Sequence, residues 1–197
     1  MTQKTQKLIL ASNNAGKLRE LNGLLTGIGF RVHAQGEFGV PEAEEPYITF
    51  VENALEKARH AARLTGLPAL ADDSGVCVNA LGGAPGVNSA RYAGTPKSDA
   101  RNNAKLVADL EDRADKSAYY YCVLVFVRHA DDPQPVIADG RWEGEIVALP
   151  RGTGGFGYDP HFWLPALGKC AAELSADEKN MLSHRSRALR SLVEKLR

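Results

Sequence analysis

The sequence predicts an α/β fold in a single domain, and three observations carry that expectation. Near the start, the apolar run KLILA at 7–11, a polar loop and the LRELNGLL segment follow one another in the order of a strand, a loop and a helix. Further on, an apolar run at 67–71 delivers the chain into Asp72 and Asp73, followed by Ser74-Gly75. This reads as a strand ending in a tight turn, the place where sites of open α/β sheets lie. Third, YYYCVLVFVR at 119–128 is long, aromatic and β-branched, and two more strand-like pieces follow it at 135–138 and 140–149, which suggests an antiparallel part to the sheet.

Length and charge narrow the function. With 197 residues the chain can bury a full core without a disulfide scaffold, in one body or two lobes. Lys+Arg 24 balances Asp+Glu 24, so no whole-surface attraction to a nucleic acid polymer or a membrane is expected, and a small anionic ligand fits better. Cys77, Cys122 and Cys170 are far apart, odd in number and without metal-ligand spacing, as in a reduced cytoplasmic protein. The apolar run at 119–127 is too short to cross a bilayer, and MTQKTQK lacks the apolar region of a signal peptide. A cytoplasmic location follows as the expectation.

Taken in order, the elements justify themselves locally. After the first strand, Ser12, Asn13, Asn14, Ala15, Gly16 and Lys17 form a loop whose free N–H groups at a helix start, with Lys17 beside them, suit a phosphate. An Asn-Gly turn with a surface lysine fits the same residues. Leu18, Leu21, Leu24 and Leu25 fall on one helical face, residues 27–29 end that helix, and 30–34 reads as a short strand. GEFGVPEAEEPY is loop-like, and its acids Glu42, Glu44 and Glu45 read as a solvated face unless a metal nearby recruits one. Thr49 with Glu52 matches a capping box, and the helix it opens should run to about Thr65 with Gly66 as its stop. Val51, Ala54, Leu55, Ala58 and Ala62 make its apolar stripe, while Asn53 and Lys57 share another face, toward a ligand or toward solvent.

Past the paired acids, 76–78 reads as a further strand segment, and LGGAPGVNSARYAG is a loop whose Arg91 and Tyr92 either contact a ligand or pack. A helix is expected at 98–110. RGTGGFGYDP, at 151–160, surrounds Phe156 and Asp159 with glycines, which allow a close backbone approach, while an exposed aromatic offers a platform for a base. A structural glycine turn competes with that reading. Ser175 and Glu178 make another capping box, and Ser183 reads as a break before a last helix with Leu189, Leu192, Val193 and Leu196 as its stripe. Lys179, His184 and Arg185 bring positive charge to two helix starts, suited to an anion or simply solvated. Asp72 and Asp73 could hold a hard divalent cation and orient a water, and they also suit a solvated DDSG turn.

Six stretches in this order, SNNAGK, F-x-E-N-A-x-x-K-A at 50–58, ADDSG at 71–75, GGAPG-x-x-SARYAG at 82–94, GGFGYDP at 154–160 and SHR at 183–185, resemble the inosine/xanthosine triphosphate pyrophosphatase family, also called Ham1-like. The resemblance covers essentially the whole chain, 1–197, as one nucleoside triphosphate pyrophosphatase domain. It implies a long central mixed β-sheet flanked by helices, two lobes around an active-site cleft, and a homodimer. It also implies a magnesium-dependent hydrolase of acid anhydrides that splits ITP, dITP and XTP into the monophosphate and pyrophosphate. Such an enzyme cleanses the nucleotide pool before deaminated bases enter DNA or RNA.

Carried onto matching positions, the resemblance gives the 12–17 loop, chiefly Ser12, Asn14 and Lys17, to the triphosphate, with Lys57 adding charge. Glu45 and Asp73 fall on the Mg2+ side, Asp73 as acceptor of the proton from the attacking water, and Asp72 as a second ligand or a support. Ser74 contacts the substrate. Phe156, Gly157, Tyr158, Asp159, Lys179, His184 and Arg185 surround the nucleoside, Phe156 by stacking. A pocket donating hydrogen bonds to a 6-oxo group, sought around His184 and Arg185, penalises adenine, whose amino group leaves buried partners unpaired. Two other readings compete: a nucleotide-binding module without catalysis, which has no need of the paired acids, and a house-cleaning pyrophosphatase of other base specificity. A single-stranded nucleic-acid binder lacks its basic, aromatic stripe.

Overall fold

Strand runs and helices alternate through the first third of the chain and give way to neighbouring strands later, and the computed structural model turns that pattern into one mixed seven-stranded sheet. It describes residues 5–197; the leading MTQK, part of the stretch read for a signal sequence, lies outside them. The strands are β1 (Gln6–Leu10), β2 (Phe30–Ala34), β3 (Ala69–Val78), β4 (Ser117–Val127), β5 (Val136–Ile146), β6 (Phe162–Leu164) and β7 (Lys169–Cys170), in spatial order β2-β1-β3-β4-β5-β6-β7. The helices are α1 (Ala15–Leu25), α2 (Phe50–Thr65), α3 (Asp99–Asp109), α4 (Ala176–Leu182) and α5 (His184–Leu196). No helix among the described residues is long and apolar enough to cross a membrane.

By packing, the chain divides into two compact units. One takes the chain up to Asp73 with Val123–Asp139 and Ala188–Arg197, and the other takes Ser74–Cys122 and Gly140–Arg187. In the first unit β1 pairs parallel with β2 from Gln6↔Phe30 to Leu10↔Ala34, and with β3 at Ile9↔Ala69 and Leu10↔Leu70. Where a strand is paired on both edges and covered on both faces it must be apolar, and Leu8, Ile9 and Leu10 are fully buried while Gln6 and Lys7 at its start are exposed. Asn22 of α1 bonds both peptide groups of Val32 on β2, at 2.9 and 3.0 Å, so the outermost strand is satisfied from a helix side chain. The α2 helix has Thr49 as its N-cap and Gly66, at φ +67°, as its left-handed stop. Its buried Ala54, Ala58, Ala61 and Ala62 permit close packing. In the second unit, β5 pairs antiparallel with β6 and β6 with β7, and Val76, Leu106, Tyr120, Trp142, Phe162 and Leu164 share a core.

Three local expectations are corrected. The DDSG stretch is not a turn after a strand, because β3 continues through it to Val78. Asp, Ser and Gly favour turns, but β3 is an inner strand between β1 and β4, and its place in the sheet overrides that preference. The pieces read at 135–138 and 140–149 are one strand, β5: Ala138, Gly140 and Trp142 are buried alternately with exposed neighbours, so the two-residue period runs on through Asp139-Gly140. Finally, Leu24 stands outside the buried stripe of α1 and is 45% exposed, whereas Leu21 and Leu25, four apart, carry the packing.

Candidate active site

Because β3 stays extended through Asp72 and Asp73, its pleat sends their side chains to opposite faces and gives each a different partner. Lys17 Nζ lies 2.7 Å from Asp72 Oδ1, while Lys57 Nζ lies 3.2 Å from Asp73 Oδ1 and 2.8 Å from Glu45 Oε1. Both aspartates are buried. Burial opposes the charge on Lys57, but Asp73 and Glu45 outweigh it and raise its pKa, so the ammonium persists. Burial pushes the Asp73 carboxyl above the ordinary carboxylate value, Lys57 pulls it back, and Glu45 and Asp72 add to the push.

Asp73 Oδ2 is buried with no hydrogen-bond partner among the described residues. A buried carboxylate oxygen without a donor beside two further carboxylates is the donor chemistry of a hard cation. As the side chains stand, no three Asp, Glu, His or Cys among the described residues are grouped to hold a metal ion. The Lys57 ammonium bridges Glu45 and Asp73. Glu45 and Asp73, joined through Lys57, are oxygen donors of the kind magnesium takes, while Asp72 leaves the other face of β3 and pairs with Lys17.

The loop at 12–17 is organised by its asparagines. Asn14 caps α1, its Oδ1 accepting from Gly16 N at 2.8 Å and Lys17 N at 3.1 Å, and Ser12 Oγ accepts from Asn14 N at 3.2 Å. Asn13 turns its Oδ1 to Gly36 N at 2.8 Å and so ties the loop to the turn after β2. Ala15 and Gly16 open the exposed first turn of α1. Asn53, expected on the face of Lys57, is buried and grips Tyr47 through both backbone groups, at 3.0 and 3.1 Å. It thereby holds the segment that carries Glu45.

The second unit gathers the remaining predicted residues. Asp159 is 1% exposed; its Oδ2 accepts from Phe156 N at 2.8 Å and pairs with Lys179, and its Oδ1 accepts from the Tyr120 hydroxyl at 3.2 Å. Gly155, at φ +72°, makes room: a Cβ there would stand 2.1 Å from Asp159 Oδ2. Phe156 is thus held by its peptide while its ring is 62% exposed, with Lys179 Nζ 4.4 Å from the ring centroid. Gly157 is held from α3, its N donating to Asp99 Oδ2 at 2.7 Å and its O accepting from Asn103 Nδ2 at 2.9 Å. Tyr158 is buried and donates to Ser89 O at 2.7 Å. His184 is buried with its ring 4.9 Å from that of Tyr120 at 12°, and Arg185 follows it half-buried in the first turn of α5. Ser74, half-buried, is the first residue of this unit. Tyr92 packs, donating to Asp109 at 2.5 Å.

The sequence model of the Ham1 family matches residues 8–195. The chain belongs to the Ham1 family. A relative from Ralstonia nicotianae, named dITP/XTP pyrophosphatase, is 68% identical over 98% of this chain and 97% of its own. One of the same name from Chromobacterium violaceum is 65% identical over 97% of each. Among solved structures, a HAM1 protein from Coxiella burnetii superposes with a TM-score of 0.95 at 49% identity, covering 98% of both chains.

Within this Ham1 chain, Tyr120, Asp99 and Asn103 support the site without having been singled out from the sequence. Tyr120 sits in the apolar run of β4, where its ring reads as core; the signal was its hydroxyl, which a buried strand must pair. Asp99 and Asn103 are four apart on α3, a spacing that marks one face but names no partner.

Proposed function

We propose that this chain hydrolyses deaminated purine nucleoside triphosphates, ITP, dITP and XTP, to the monophosphate and pyrophosphate, and so keeps these bases out of DNA and RNA. The observation that carries the reading is the pair Asp72 and Asp73, each with its own lysine, with one Asp73 oxygen buried and unpartnered. Paired acids and lysines at this density suit an anhydride under attack better than passive binding. Membership of the Ham1 family, and the names of relatives 65–68% identical, support the base class.

Lys17 and Lys57 face the triphosphate and offset its charge, together with the N–H groups of the first turn of α1. Asp73 orients a water toward the α-phosphorus and accepts its proton as the oxygen bonds to phosphorus and the bond to pyrophosphate breaks. Its raised pKa makes it a stronger base than an exposed aspartate. Glu45 and Asp73, with Asp72 as a second ligand or a support, would hold magnesium, which would supply Lewis acidity when bound. Phe156 stacks on the base, and donors near His184 and Arg185 read its 6-oxo group. The same reading includes a homodimer working in the cytoplasm, with no polymer or membrane partner.

The test is product analysis with dITP, dATP and dGTP, each with magnesium and with EDTA. Pyrophosphate and monophosphate from dITP, little from the other two, and loss of turnover with EDTA are expected. Orthophosphate would move the attack to another phosphorus, and no turnover would leave a binding module.

A further inference from the structure

Two segments expected around the base come from distant parts of the sequence, GGFGYDP at 154–160 and SHR at 183–185, and within the second unit one side chain touches both. The ring of Tyr120 lies nearly parallel to that of His184, 4.9 Å away at 12°. Its hydroxyl donates to Asp159 Oδ1, and the other oxygen of that carboxylate holds the peptide N–H of Phe156. Tyr120 is itself fixed from behind, with Phe162 at 4.6 Å and Trp142 at 6.4 Å between ring centroids. A buried aromatic locked by neighbouring rings is a rigid base on which to mount two flanking groups.

We infer that Tyr120 is a positioning residue for purine selection, setting His184 and the Phe156 platform in register with each other. The inference rests on the purine reading above. Its two contacts act differently. The hydroxyl fixes Asp159, and so the peptide of Phe156; the ring fixes the plane of His184. Burial first, and then the charge of Asp159, hold the Tyr120 hydroxyl well above its ordinary pKa, so it remains a donor across the working pH range. A residue that only fills the core lowers stability when trimmed and treats every nucleotide alike. A residue that sets the register changes the preference among bases.

The experiment compares Tyr120→Phe and Tyr120→Leu with the parent in kcat and KM for dITP, dGTP and dATP, beside thermal melting. Tyr120→Phe keeps the ring and loses the hydroxyl. It should raise KM for dITP about tenfold with kcat within about threefold, and lower the preference for dITP over dGTP by a similar factor. Tyr120→Leu loses both contacts and should go further, with Tyr120→Phe standing between it and the parent. Variants that melt lower but keep KM and the preference within twofold overturn the inference. In the unmodified enzyme, NMR titration with dIMP should move the His184 and Tyr120 ring signals together; a His184 response without Tyr120 overturns it even where a variant does not fold. A parent that does not turn over dITP overturns the purine reading and this inference with it, whereas an active parent beside an unselective response to both variants overturns this inference alone.

Discussion

Asp73→Asn changes one atom of the side chain and leaves its shape. In the cluster, Lys17 and Lys57 face Glu45, Asp72 and Asp73, an excess of one negative charge that asparagine removes. Lys57 keeps its 2.8 Å partner in Glu45, and the asparagine oxygen can still accept from it. The folded parent holds a proton on Asp73 above the ordinary carboxylate value of about 3.9, since burial raises its pKa. Over that window the folded state binds more protons than the unfolded one, so the contribution of Asp73 to stability falls as pH rises and stays low above its folded pKa. Asparagine carries no such penalty. With EDTA present, the variant should match or exceed the parent in melting temperature at pH 7, and lose any advantage below about pH 4. Turnover should fall about 100- to 10,000-fold, the contribution of a positioned general base, or about 2.7–5.4 kcal/mol in the barrier. The assay is pyrophosphate release from dITP beside calorimetry of the same samples. Activity within tenfold of the parent would refute the proton-accepting role, and a lower melting temperature at pH 7 would show that the Asp73 charge stabilises the fold.

Two further substitutions probe the frame around the site. Gly155→Ala puts a Cβ 2.1 Å from Asp159 Oδ2 at a φ of +72°. The left-handed conformation alone costs about 1–2 kcal/mol, and with the displaced carboxylate the loss should reach about 2 kcal/mol, a fall of about 4–8 °C in melting temperature; an unchanged melting curve would show that the turn relaxes freely. Asp132 is fully buried and accepts from Arg128 N, Nε and Nη2 and from Gln134 N at 2.5–3.0 Å. The Arg128 hydrogen bonds hold its carboxyl well below the usual range. Its contribution is therefore present above about pH 4 and lost as pH falls through the folded pKa, so Asp132→Asn should be less stable than the parent in urea at pH 6, with the gap closing on acidification. A gap that ignores pH would mean that the carboxylate acts by shape alone.

The sequence shows its long elements plainly, because period and capping are local. Thr49, Gly66, Ser98 and Ser175 stand where the structure places helix ends. Strands β6 and β7, three and two residues long, are too short to show a period and exist through pairing. The site was legible as residue types in order, and less so as partners. Nothing in the spacing of Lys17 and Asp72 announces their ion pair, since it depends on the parallel pairing of β1 and β3. Asp159 reads in sequence as a candidate substrate contact; in the structure its oxygens are occupied by Tyr120, Phe156 and Lys179. Asn53 reads as sharing with Lys57 a face turned to a ligand or to solvent, and burial instead makes it the clamp of Tyr47. Lys17 and Asp72 meet from segments 55 residues apart, as do Asp159 and Tyr120 from 39 apart, distances that no local pattern spans.

The extended path of β3 through Asp72 and Asp73 bears on how the enzyme moves. Backbone within a sheet opens late and exchanges its amide hydrogens slowly, so the two acids sit on one of the stiffer parts of the chain. Lysine ammonium groups on four-carbon stems are the adjustable parts. The fold thereby separates anions mounted on sheet backbone from cations on long stems: the Lys57 ammonium, which bridges Glu45 and Asp73, can swing without any movement of the strand that carries the acid.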